Sequence, residues 1–485
     1  MPATASSPEV ADHADALQPG RGPWGAILVL PVIALAIPAS LVIGGPLRSN
    51  GWPARLIIFW IAAMIVLGWV ARRRVGEHAP SEPARVAPVE IGAWLLLIGL
   101  STSLAAAGLR ELSELESAGS IRFALVMIPL TIVAMGVSTL ADARRCDQIV
   151  VGILLGATIG AMIAIAQFVV PFHWDQVLRL PGLEAADTGG SGSRGGFERI
   201  RGASAHPIEL GVICGAALPL GVHLSRFGRS RSTRALASMA TVLLLIAIPL
   251  SVSRSGVLVA ILAIAVYSVA LNTRQRLTAL ILAIAGLAVF RAAVPGLLGT
   301  VVAIFTGASS DDSVTGRTED YASVNELWTA EPLLGFGLGT FRPEEYFFLD
   351  NQYLMSLVEG GLTLLVVTVL FFVLAFASAR GAVRRAATLA DGSRAHAVGA
   401  AILAIAVSGT FFDLFSFAQI TVMTFLLAGV AGALWHDGVR QGVPLPTPWE
   451  RLDAARAGSR HRPRVHTLEG TDRDEFAERE RRQSS

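Results

Sequence analysis

Lysine is absent from this chain of 485 residues, so the 39 side chains counted as Lys or Arg are all arginine. Arginine at any one position therefore carries no information about bidentate phosphate binding, which would otherwise favour it over lysine. Charge is also scarce, since 16% of the residues are charged and the net charge is +2. A balance so close to neutral argues against a nucleic-acid partner.

Cysteine is nearly absent as well. The two cysteines, Cys146 and Cys214, stand far apart, and no metal-ligand spacing surrounds either of them. We therefore expect two unpaired thiols, no metal site and no cofactor.

Apolar sequence is what the chain has in abundance: 53% of the residues are hydrophobic, and the mean hydropathy is +0.58. Such a composition is typical of a polytopic membrane protein. A helix that crosses a bilayer needs about 20 apolar residues, and by that rule the chain is an all-α membrane protein with about 12 transmembrane helices. The predicted spans are Trp24–Ile43, Leu56–Ala71, Glu90–Leu109, Ile121–Leu140, Ile149–Val170, Pro207–Leu224, Ala235–Leu250, Gly256–Leu271, Leu277–Phe290, Gln352–Ala377, Ala397–Phe412 and Gln419–Trp435.

The loops between these spans differ in charge. Counted alternately, most arginines fall on one side, which the positive-inside rule assigns to the cytoplasm. We therefore predict a multi-pass protein of the cytoplasmic (inner) membrane with both termini cytoplasmic. These arginines are Arg72, Arg73, Arg74, Arg85, Arg144, Arg145, Arg226, Arg229, Arg231, Arg234, Arg274, Arg276, Arg380, Arg384, Arg385 and Arg394.

The same reading divides the chain into three regions. Residues 1–23 and 436–485 are polar and are predicted to be disordered cytosolic ends. No basic region precedes the first apolar run, so we read that run as a retained helix rather than a signal peptide. Residues 24–435 form the transmembrane domain, with outward loops at 171–206 and 307–350, the second lying between helices 9 and 10.

The first polar outward segment ends in the sequence F-E-R-I-R-G-A-S-A-H-P. Pro207 suits the first turn of a helix, so His206 is placed at a helix N-terminus, where the dipole favours an anion. One interpretation is an anion site that includes Arg199 or Arg201. The other is an interfacial loop whose arginines contact lipid headgroups.

The second segment is the short turn S-V-S-R-S-G between two apolar runs, and it contains Arg254. An arginine so close to the membrane core is costly, and such residues are commonly paired or functional. The alternative is a side chain that extends to the outer interface.

The third segment is the loop 307–350, where Arg317 precedes a stretch with apolar residues at helical spacing, among them Tyr321 and Val324. This stretch, Thr318–Thr329, is predicted to be an amphipathic helix on the membrane surface. The sequence G-F-G-L-G then predicts a flexible turn, and a lone glycine run of this kind is weak support for phosphate binding.

The loop ends at Asp350, just where the chain returns to the bilayer. Asn351 and Tyr353 follow, and Glu359 lies about two helical turns further on. Asp350 is a candidate catalytic group, and it is also a candidate helix N-cap.

Together these segments resemble the O-antigen ligase and polymerase superfamily of membrane glycosyltransferases. The resemblance covers Arg199 to Phe372 and rests on four motifs in order: R-G-A-S-A-H-P, S-R-S-G, G-R-T followed by Trp328 and G-F-G-L-G, and D-N-Q-Y-L-M-S-L-V-E-G-G. It departs from the family pattern at Ile208, where asparagine is frequent.

The resemblance implies transfer of an oligosaccharide from undecaprenyl pyrophosphate to an acceptor hydroxyl on a glycan or lipid. In the ligases two outward arginines bind the pyrophosphate, and these positions fall on Arg254 and Arg317. A histidine that assists the acceptor falls on Asp350, whose carboxylate is able to act as a general base. Glu319 and His206 are the other proton acceptors considered. Further substrate contacts are expected from Arg199, Arg201, His206, Asn351, Tyr353 and Glu359.

Two other classes of function remain open. A transporter of a small anion or of a lipid-linked glycan would carry charges along the midplane of several helices. We read the predicted spans as nearly free of charge apart from Glu359 and Arg291, and this counts against transport. A scaffold in an envelope assembly complex is the third possibility.

Overall fold

The computed structural model describes residues 23–44, 51–75, 85–170, 172, 182–185, 192–194, 196–296, 299 and 312–441. Of the predicted disordered ends, residues 1–23 and 436–485, all but residues 23 and 436–441 fall outside the described residues, as do parts of both predicted outward loops. Residues 436–440 are helical, so the prediction of disorder is wrong for them. All described residues lie in one compact unit.

Thirteen α-helices make up most of the described chain, and they are numbered here in chain order. They are α1 (Trp24–Ala36), α2 (Pro53–Val75), α3 (Pro88–Ala107), α4 (Glu114–Leu140), α5 (Ala143–Val169), α6 (Pro207–Phe227), α7 (Arg231–Leu250), α8 (Arg254–Ser268), α9 (Thr273–Ala293), α10 (Asp312–Ala330), α11 (Gln352–Arg384), α12 (Leu389–Ser408) and α13 (Ala418–Arg440).

Nine of the described helices are long and apolar enough to cross a membrane, and α1 and α8 are shorter apolar helices. The prediction of an all-α polytopic membrane protein is therefore confirmed. The figure of about 12 spans stays a prediction.

The predicted span Trp24–Ile43 is wrong as a single helix. Helix α1 ends at Ala36, and Ile37 is already extended (φ −79°, ψ 129°) because the next residue is proline. Strand β1 (Leu41–Ile43) follows, and it pairs antiparallel with β2 (Leu183–Ala185). A second small hairpin joins β3 (Ser193–Arg194) to β4 (Phe197–Glu198).

Small residues allow the helices to pack closely, as in many membrane bundles. A Cβ atom added at Gly432 would lie 2.1 Å from Ser138 Oγ, which shows how closely α13 approaches α4. The most apolar window of α13 is 89% buried, whereas that of α9 is 0% buried. Helix α13 is thus central to the bundle and α9 is peripheral.

One end of the bundle gathers four irregular segments: 199–206, 251–254, 331–351 and 409–417. Three backbone hydrogen bonds between these segments and their neighbours are Ile200 N to Leu250 O (3.3 Å), Leu338 N to Ser103 O (3.2 Å) and Gln352 N to Gly409 O (2.8 Å). We call this the Arg254 end. The opposite end, where α5 and α12 begin, is called the Arg394 end.

Candidate functional site

His206 occupies the N-cap position of α6. Its Nδ1 accepts a hydrogen bond from the backbone N–H of Ile208 (3.2 Å), so the neutral ring carries its proton on Nε2. Burial, and then the charges of Arg199 and Arg201, lower the pKa of His206 to about 4. At neutral pH His206 is therefore an uncharged hydrogen-bond donor beside two arginines.

Glu209, one turn into α6, anchors this segment and was missed in the sequence. It is fully buried, and its Oε2 accepts from the backbone N–H of Ala205 (2.9 Å). Its Oε1 accepts from the backbone N–H groups of Gln419 (2.9 Å) and Ile420 (3.2 Å), in the first turn of α13. Because the N-cap residue of α13 is Phe417, which supplies no side-chain cap, Glu209 caps that helix from a distance. The sequence feature that could have identified Glu209 is an acid near the start of an apolar run.

Arg254 is the first residue of α8, directly after the N-cap Ser253. A cation at a helix N-terminus is disfavoured by the helix dipole. Two residues earlier, Val252 has φ 45°, and it is the one residue other than glycine with positive φ in the described chain. A β-branched residue in this region is strained, and such strain concentrates at functional sites. Neither helix electrostatics nor local backbone preference therefore explains why an arginine occupies position 254.

The Arg254 turn lies beside the segment that carries Arg201. The hydrogen bond from Ile200 to Leu250 joins the start of this segment to the end of α7. Helices α6 and α8 then meet at two glycines, where a Cβ on Gly256 would lie 2.7 Å from the Cα of Gly211. Two motifs separated by some fifty residues in sequence are thus neighbours in space.

Helix α11 is broken at Gly361, which has φ 61° and ψ −163°. The G-F-G-L-G segment, predicted to be a turn, packs into this break. Hydrogen bonds between residues 332–337 and residues 358–363 satisfy the backbone groups that the break leaves without helical partners. A membrane environment requires such groups to be paired within the protein. The bonds run from Phe336 N to Val358 O (3.0 Å), Gly337 N to Glu359 O (2.8 Å), Leu362 N to Pro332 O (2.9 Å) and Thr363 N to Leu333 O (3.3 Å).

Asp350 is not the N-cap of α11, because Asn351 takes that role. Asn351 Oδ1 accepts from the backbone N–H groups of Tyr353 (2.9 Å) and Leu354 (3.2 Å), and its Nδ2 donates to Thr410 O (3.4 Å). The capping alternative for Asp350 is therefore wrong. Asn351 was predicted to bind substrate, and its amide is engaged in these contacts.

Asp413, which sequence reasoning missed, lies in segment 409–417 at the Arg254 end, close enough for the charge of Asp350 to act on it. Its Oδ2 accepts from Ser416 Oγ, while its Oδ1 is buried and, within the described residues, has no hydrogen-bond partner. Burial, with a further contribution from the charge of Asp350, raises the pKa of Asp413 to about 6, although Ser416 and Arg342 oppose the shift. The sequence feature that could have identified Asp413 is a lone acid, between phenylalanine and leucine, in a short outward turn.

Glu359 is a buried carboxylate of α11 in the same region. It is 4% exposed, and its carboxylate lies near the backbone N–H groups of Gly339 and Phe341 and the charges of Asp413 and Arg342. Tyr353, in the preceding turns of α11, donates its hydroxyl to Ala406 O (2.6 Å). The structure therefore brings Asp350, Glu359 and Asp413 together, whereas Tyr353 is engaged with α12.

A polar cluster fixes segment 331–351 to helices α3 and α4. Arg110 Nη2 donates to Glu116 Oε1 (2.5 Å), and its Nε donates to Phe336 O (2.9 Å). Tyr346 donates its hydroxyl to the same Glu116 oxygen (2.8 Å). Burial and the neighbouring Glu116 raise the pKa of Tyr346.

Arg317 lies in α10, but its side chain is outside the described residues, as is that of Glu319. The predicted helix over Thr318–Thr329 is confirmed as part of α10. Its apolar residues Val324 and Leu327 pack in a cluster with Met355 and Val358 of α11. Part of the apolar face therefore contacts α11, whereas Tyr321 is 56% exposed, and the position of this helix along the membrane surface stays a prediction.

The prediction that the spans are nearly free of charge is wrong. Glu209 and Glu90 are buried in addition to Glu359, and at the Arg394 end Arg394 is 6% exposed. Glu90 accepts from Ser138 Oγ (2.6 Å) and contacts His436 Nε2 (2.7 Å). Each of these groups has hydrogen-bond partners nearby, although the Nε of Arg394 has none among the described residues, so their burial alone does not indicate a transport path.

Long apolar helices with polar segments collected at one end define a multi-pass membrane protein. Residues 239–369 match the family model described as O-antigen ligase, and this match supports membership of the O-antigen ligase superfamily. The match includes Arg254, Arg317, Asp350 and Glu359 and excludes the Arg199–His206 segment. No curated protein sequence matches the chain.

The match supports a glycosyltransferase-like activity of the O-antigen ligase or polymerase type in polysaccharide biosynthesis. In general terms it implies a lipid-linked glycan and an acceptor as partners.

Proposed function

We propose that this protein transfers an oligosaccharide from undecaprenyl pyrophosphate to an acceptor hydroxyl on the outer face of the cytoplasmic membrane. In this proposal the Arg254 end faces outward and both termini are cytoplasmic, in agreement with the arginine bias of the loops at the Arg394 end. The product is a surface polysaccharide, built by a polymerase or a ligase.

One observation carries the proposal: Arg254 lies beside the segment containing Arg199, Arg201 and His206, at the outward ends of α6 and α8. An arginine guanidinium can donate two parallel hydrogen bonds to phosphate oxygens, and a partly desolvated position strengthens each of these contacts. His206 adds a neutral Nε2–H donor, and the N-terminus of α6 adds its dipole. These groups suit a pyrophosphate leaving group.

The reaction is a single displacement in this proposal. The acceptor oxygen forms a bond to the anomeric carbon as the bond from that carbon to the pyrophosphate oxygen breaks, which inverts the anomeric centre. The lipid pyrophosphate departs with the bonding electron pair, and the arginines stabilise its developing charge. The proton of the acceptor hydroxyl passes to a carboxylate.

Asp350 is the proposed proton acceptor, and Asp413 is its partner. Two carboxylates that face each other oppose simultaneous ionisation, so one of them holds a proton more readily than an isolated acid. Arg317 is proposed to reach the donor phosphates from α10. Glu359, Asn351 and Tyr353 are proposed to shape the acceptor side through their contacts with the segments 337–341 and 406–413.

The proposal is tested with purified protein in nanodiscs, a lipid-pyrophosphate-linked oligosaccharide and an acceptor. The variants Arg317→Ala and Asp350→Asn should each lower the transfer rate by about 10²–10³-fold or more. Arg231→Ala is the matched control, since Arg231 is an exposed arginine at the start of α7 at the other end of the bundle. Folded variants at both positions that retain the wild-type rate would overturn the proposal.

A deletion strain distinguishes polymerase from ligase. Single repeat units without long chains indicate a polymerase, whereas long chains that remain on the lipid carrier indicate a ligase. Proteoliposome uptake of the glycan with no change in its linkages would instead favour the transporter.

A further inference from the structure

Gln352 is the first residue of α11, and it is 2% exposed. It stands two residues after Asp350, the proposed proton acceptor. The first residues of a helix have no helical partners for their backbone N–H groups, which therefore bind elsewhere. The backbone N–H of Gln352 donates to Gly409 O (2.8 Å) and to Phe412 O (3.2 Å). The start of α11 is thus bonded directly to the residue that precedes Asp413.

The side chain of Gln352 binds the chain on the other side of Asp413. Its Oε1 accepts from the backbone N–H of Phe415 (2.7 Å), and its Nε2 donates to Ser356 Oγ (3.2 Å). A backbone N–H is always a donor, so the bond from Phe415 determines which amide atom is the oxygen. One glutamine therefore holds Phe412 and Phe415 by separate hydrogen bonds, and Asp413 lies between them.

The two neighbours of Gln352 in sequence hold this region differently. The side chains of Asn351 and Tyr353 donate to backbone carbonyl oxygens that precede Asp413 in the chain. Of these three residues, Gln352 is the one that binds the backbone on both sides of Asp413. The position of Asp413 relative to the start of α11 therefore depends on the Gln352 amide more than on either neighbour.

The surroundings of Asp413 make its position important. The charged groups that act on it or are acted on by it are the acids Asp350 and Glu359 and the cation Arg342. Burial is the main reason why the pKa of Asp413 is raised to about 6, and its Oδ1 has no hydrogen-bond partner in the described part of the chain. If the turn moved toward water, Oδ1 would be solvated and the pKa would fall toward that of an ordinary aspartate.

We propose that Gln352 is a positioning residue of the transfer reaction, which holds Asp413 in a fixed place beside Asp350. This inference rests on the proposed function, because that function assigns the two carboxylates to the proton path. Gln352 acts through the carboxylates and contacts neither donor nor acceptor. A general base must stay within hydrogen-bond reach of the proton that it accepts, and a displacement of about 1 Å can lower a rate by about 100-fold.

The first measurement compares Gln352→Met with wild type in the nanodisc transfer assay. Methionine keeps the length of the side chain but removes the acceptor, so the buried N–H of Phe415 loses its partner. A buried donor without an acceptor is costly, and the turn is expected to move toward water. We expect kcat to fall by about 10- to 100-fold with little change in the KM of the donor. The acidic limb of the rate profile near pH 6 should move to lower pH.

An infrared titration follows Asp413 without any turnover. The C=O stretch of protonated carboxyl groups is measured against pH in the full chain, and Asp413→Asn identifies the band of Asp413 by removing it. The midpoint of this band should move from about pH 6 to lower pH in Gln352→Met. If wild type carries out no transfer, the proposed function fails, and the midpoint still shows whether Gln352 holds Asp413 in place.

Two control variants separate positioning from a general loss of stability. Ser356→Ala removes the partner of the Gln352 Nε2 but leaves the bond from Phe415, so the infrared midpoint should stay at the wild-type pH. Gln167 is another buried glutamine whose Oε1 accepts from a backbone N–H, that of Gly202 (3.1 Å). Gln167→Met should therefore lower the stability without moving the midpoint.

Gln352→Asn replaces the methionine variant if that protein does not fold. Its side chain is one methylene shorter, so it loses the bond from Phe415 and should move the midpoint in the same direction. A folded Gln352 variant whose midpoint and acidic limb both equal those of wild type overturns the proposal. An equal shift in Gln167→Met also overturns it, because that result reflects general loosening of the bundle.

Discussion

The two ends of the bundle treat charge in opposite ways. At the Arg394 end, charges of opposite sign are paired: Arg394 donates to Asp147 (2.6 Å) and Asp391 (2.8 Å), and Glu90 contacts His436. The Arg254 end also contains the ion pair between Arg110 and Glu116, but around the candidate site like charges are neighbours, since Arg199 and Arg201 act on His206, and Asp350 acts on Asp413. Opposite charges in contact compensate each other. Neighbouring like charges raise the free energy of the folded protein unless a ligand or a proton neutralises one of them. The comparison separates structural from functional charge.

The sharpest test of this comparison is Arg254→Ala. If Arg254 stabilises developing charge on a leaving group, its loss should lower the transfer rate by about 10²–10³-fold, because single donors at such sites contribute that much. Thermal unfolding of the variant should stay close to wild type. Single-turnover transfer measures the rate, and a strongly destabilised but active variant would reverse the assignment of Arg254 to function.

Arg394→Ala should give the opposite pattern. Its side chain is 8% exposed and its two carboxylate partners are 32% exposed, so removal leaves Asp391 without this cation and Asp147 with the more distant Arg229 (3.6 Å). We expect a loss of about 2–3 kcal/mol in unfolding free energy, below the range for a fully buried pair. Chemical or thermal unfolding in detergent measures it. Unchanged stability together with abolished transfer in folded protein would contradict the division between the ends.

Asp413→Asn tests the carboxylate pair through pH. The pKa of Asp413 is raised to about 6, so in wild type this acid gains a proton as pH falls through that value. Above that pH its negative charge raises the proton affinity of Asp350, and the asparagine variant lacks this contribution. An acidic limb of the rate profile near pH 6 that reflects Asp413 should therefore be lost in the variant. A limb that stays at the wild-type pH removes Asp413 from the proton path.

His206→Asn is expected to have the smallest effect. The folded pKa of about 4 lies below the ordinary value of about 6.5, so between these values the unfolded chain binds more protons. The contribution of His206 to stability is thus complete above pH 6.5 and declines as pH falls toward 4. Asparagine keeps the N-cap but does not titrate, so melting temperature should fall less between pH 7.5 and 5 than in wild type.

Asp413 contributes with the opposite sign. Its folded pKa is raised, so protonation below about pH 6 favours the folded state. The double variant His206→Asn/Asp413→Asn separates the two contributions. A melting curve of His206→Asn with unchanged pH dependence would mean that His206 is not held neutral.

The sequence was sufficient to predict helices where apolar runs are long, and it also placed Arg254 and Asp350 at their ends. It was misleading where one proline ends a helix inside an apolar run, as at Pro38. Asp413 and Glu209 escaped notice because each is a single charge whose meaning depends on a partner distant in sequence. Asp413 acts with Asp350, and Glu209 with the start of α13. Such pairings follow from helix packing, which periodicity does not encode.

The break in α11 sets a rule for how this chain tolerates changes in loop length. Residues 332–337 are matched bond for bond to positions 358–363, so the two stretches share a fixed register. Insertions before Ala330 lengthen the outer loop without moving this register. A single added or deleted residue between Pro332 and Gly337 shifts every later pairing and carries Glu359 away from Asp413. The outer loop can therefore vary in length before Ala330, whereas residues 332–337 fix the position of Glu359.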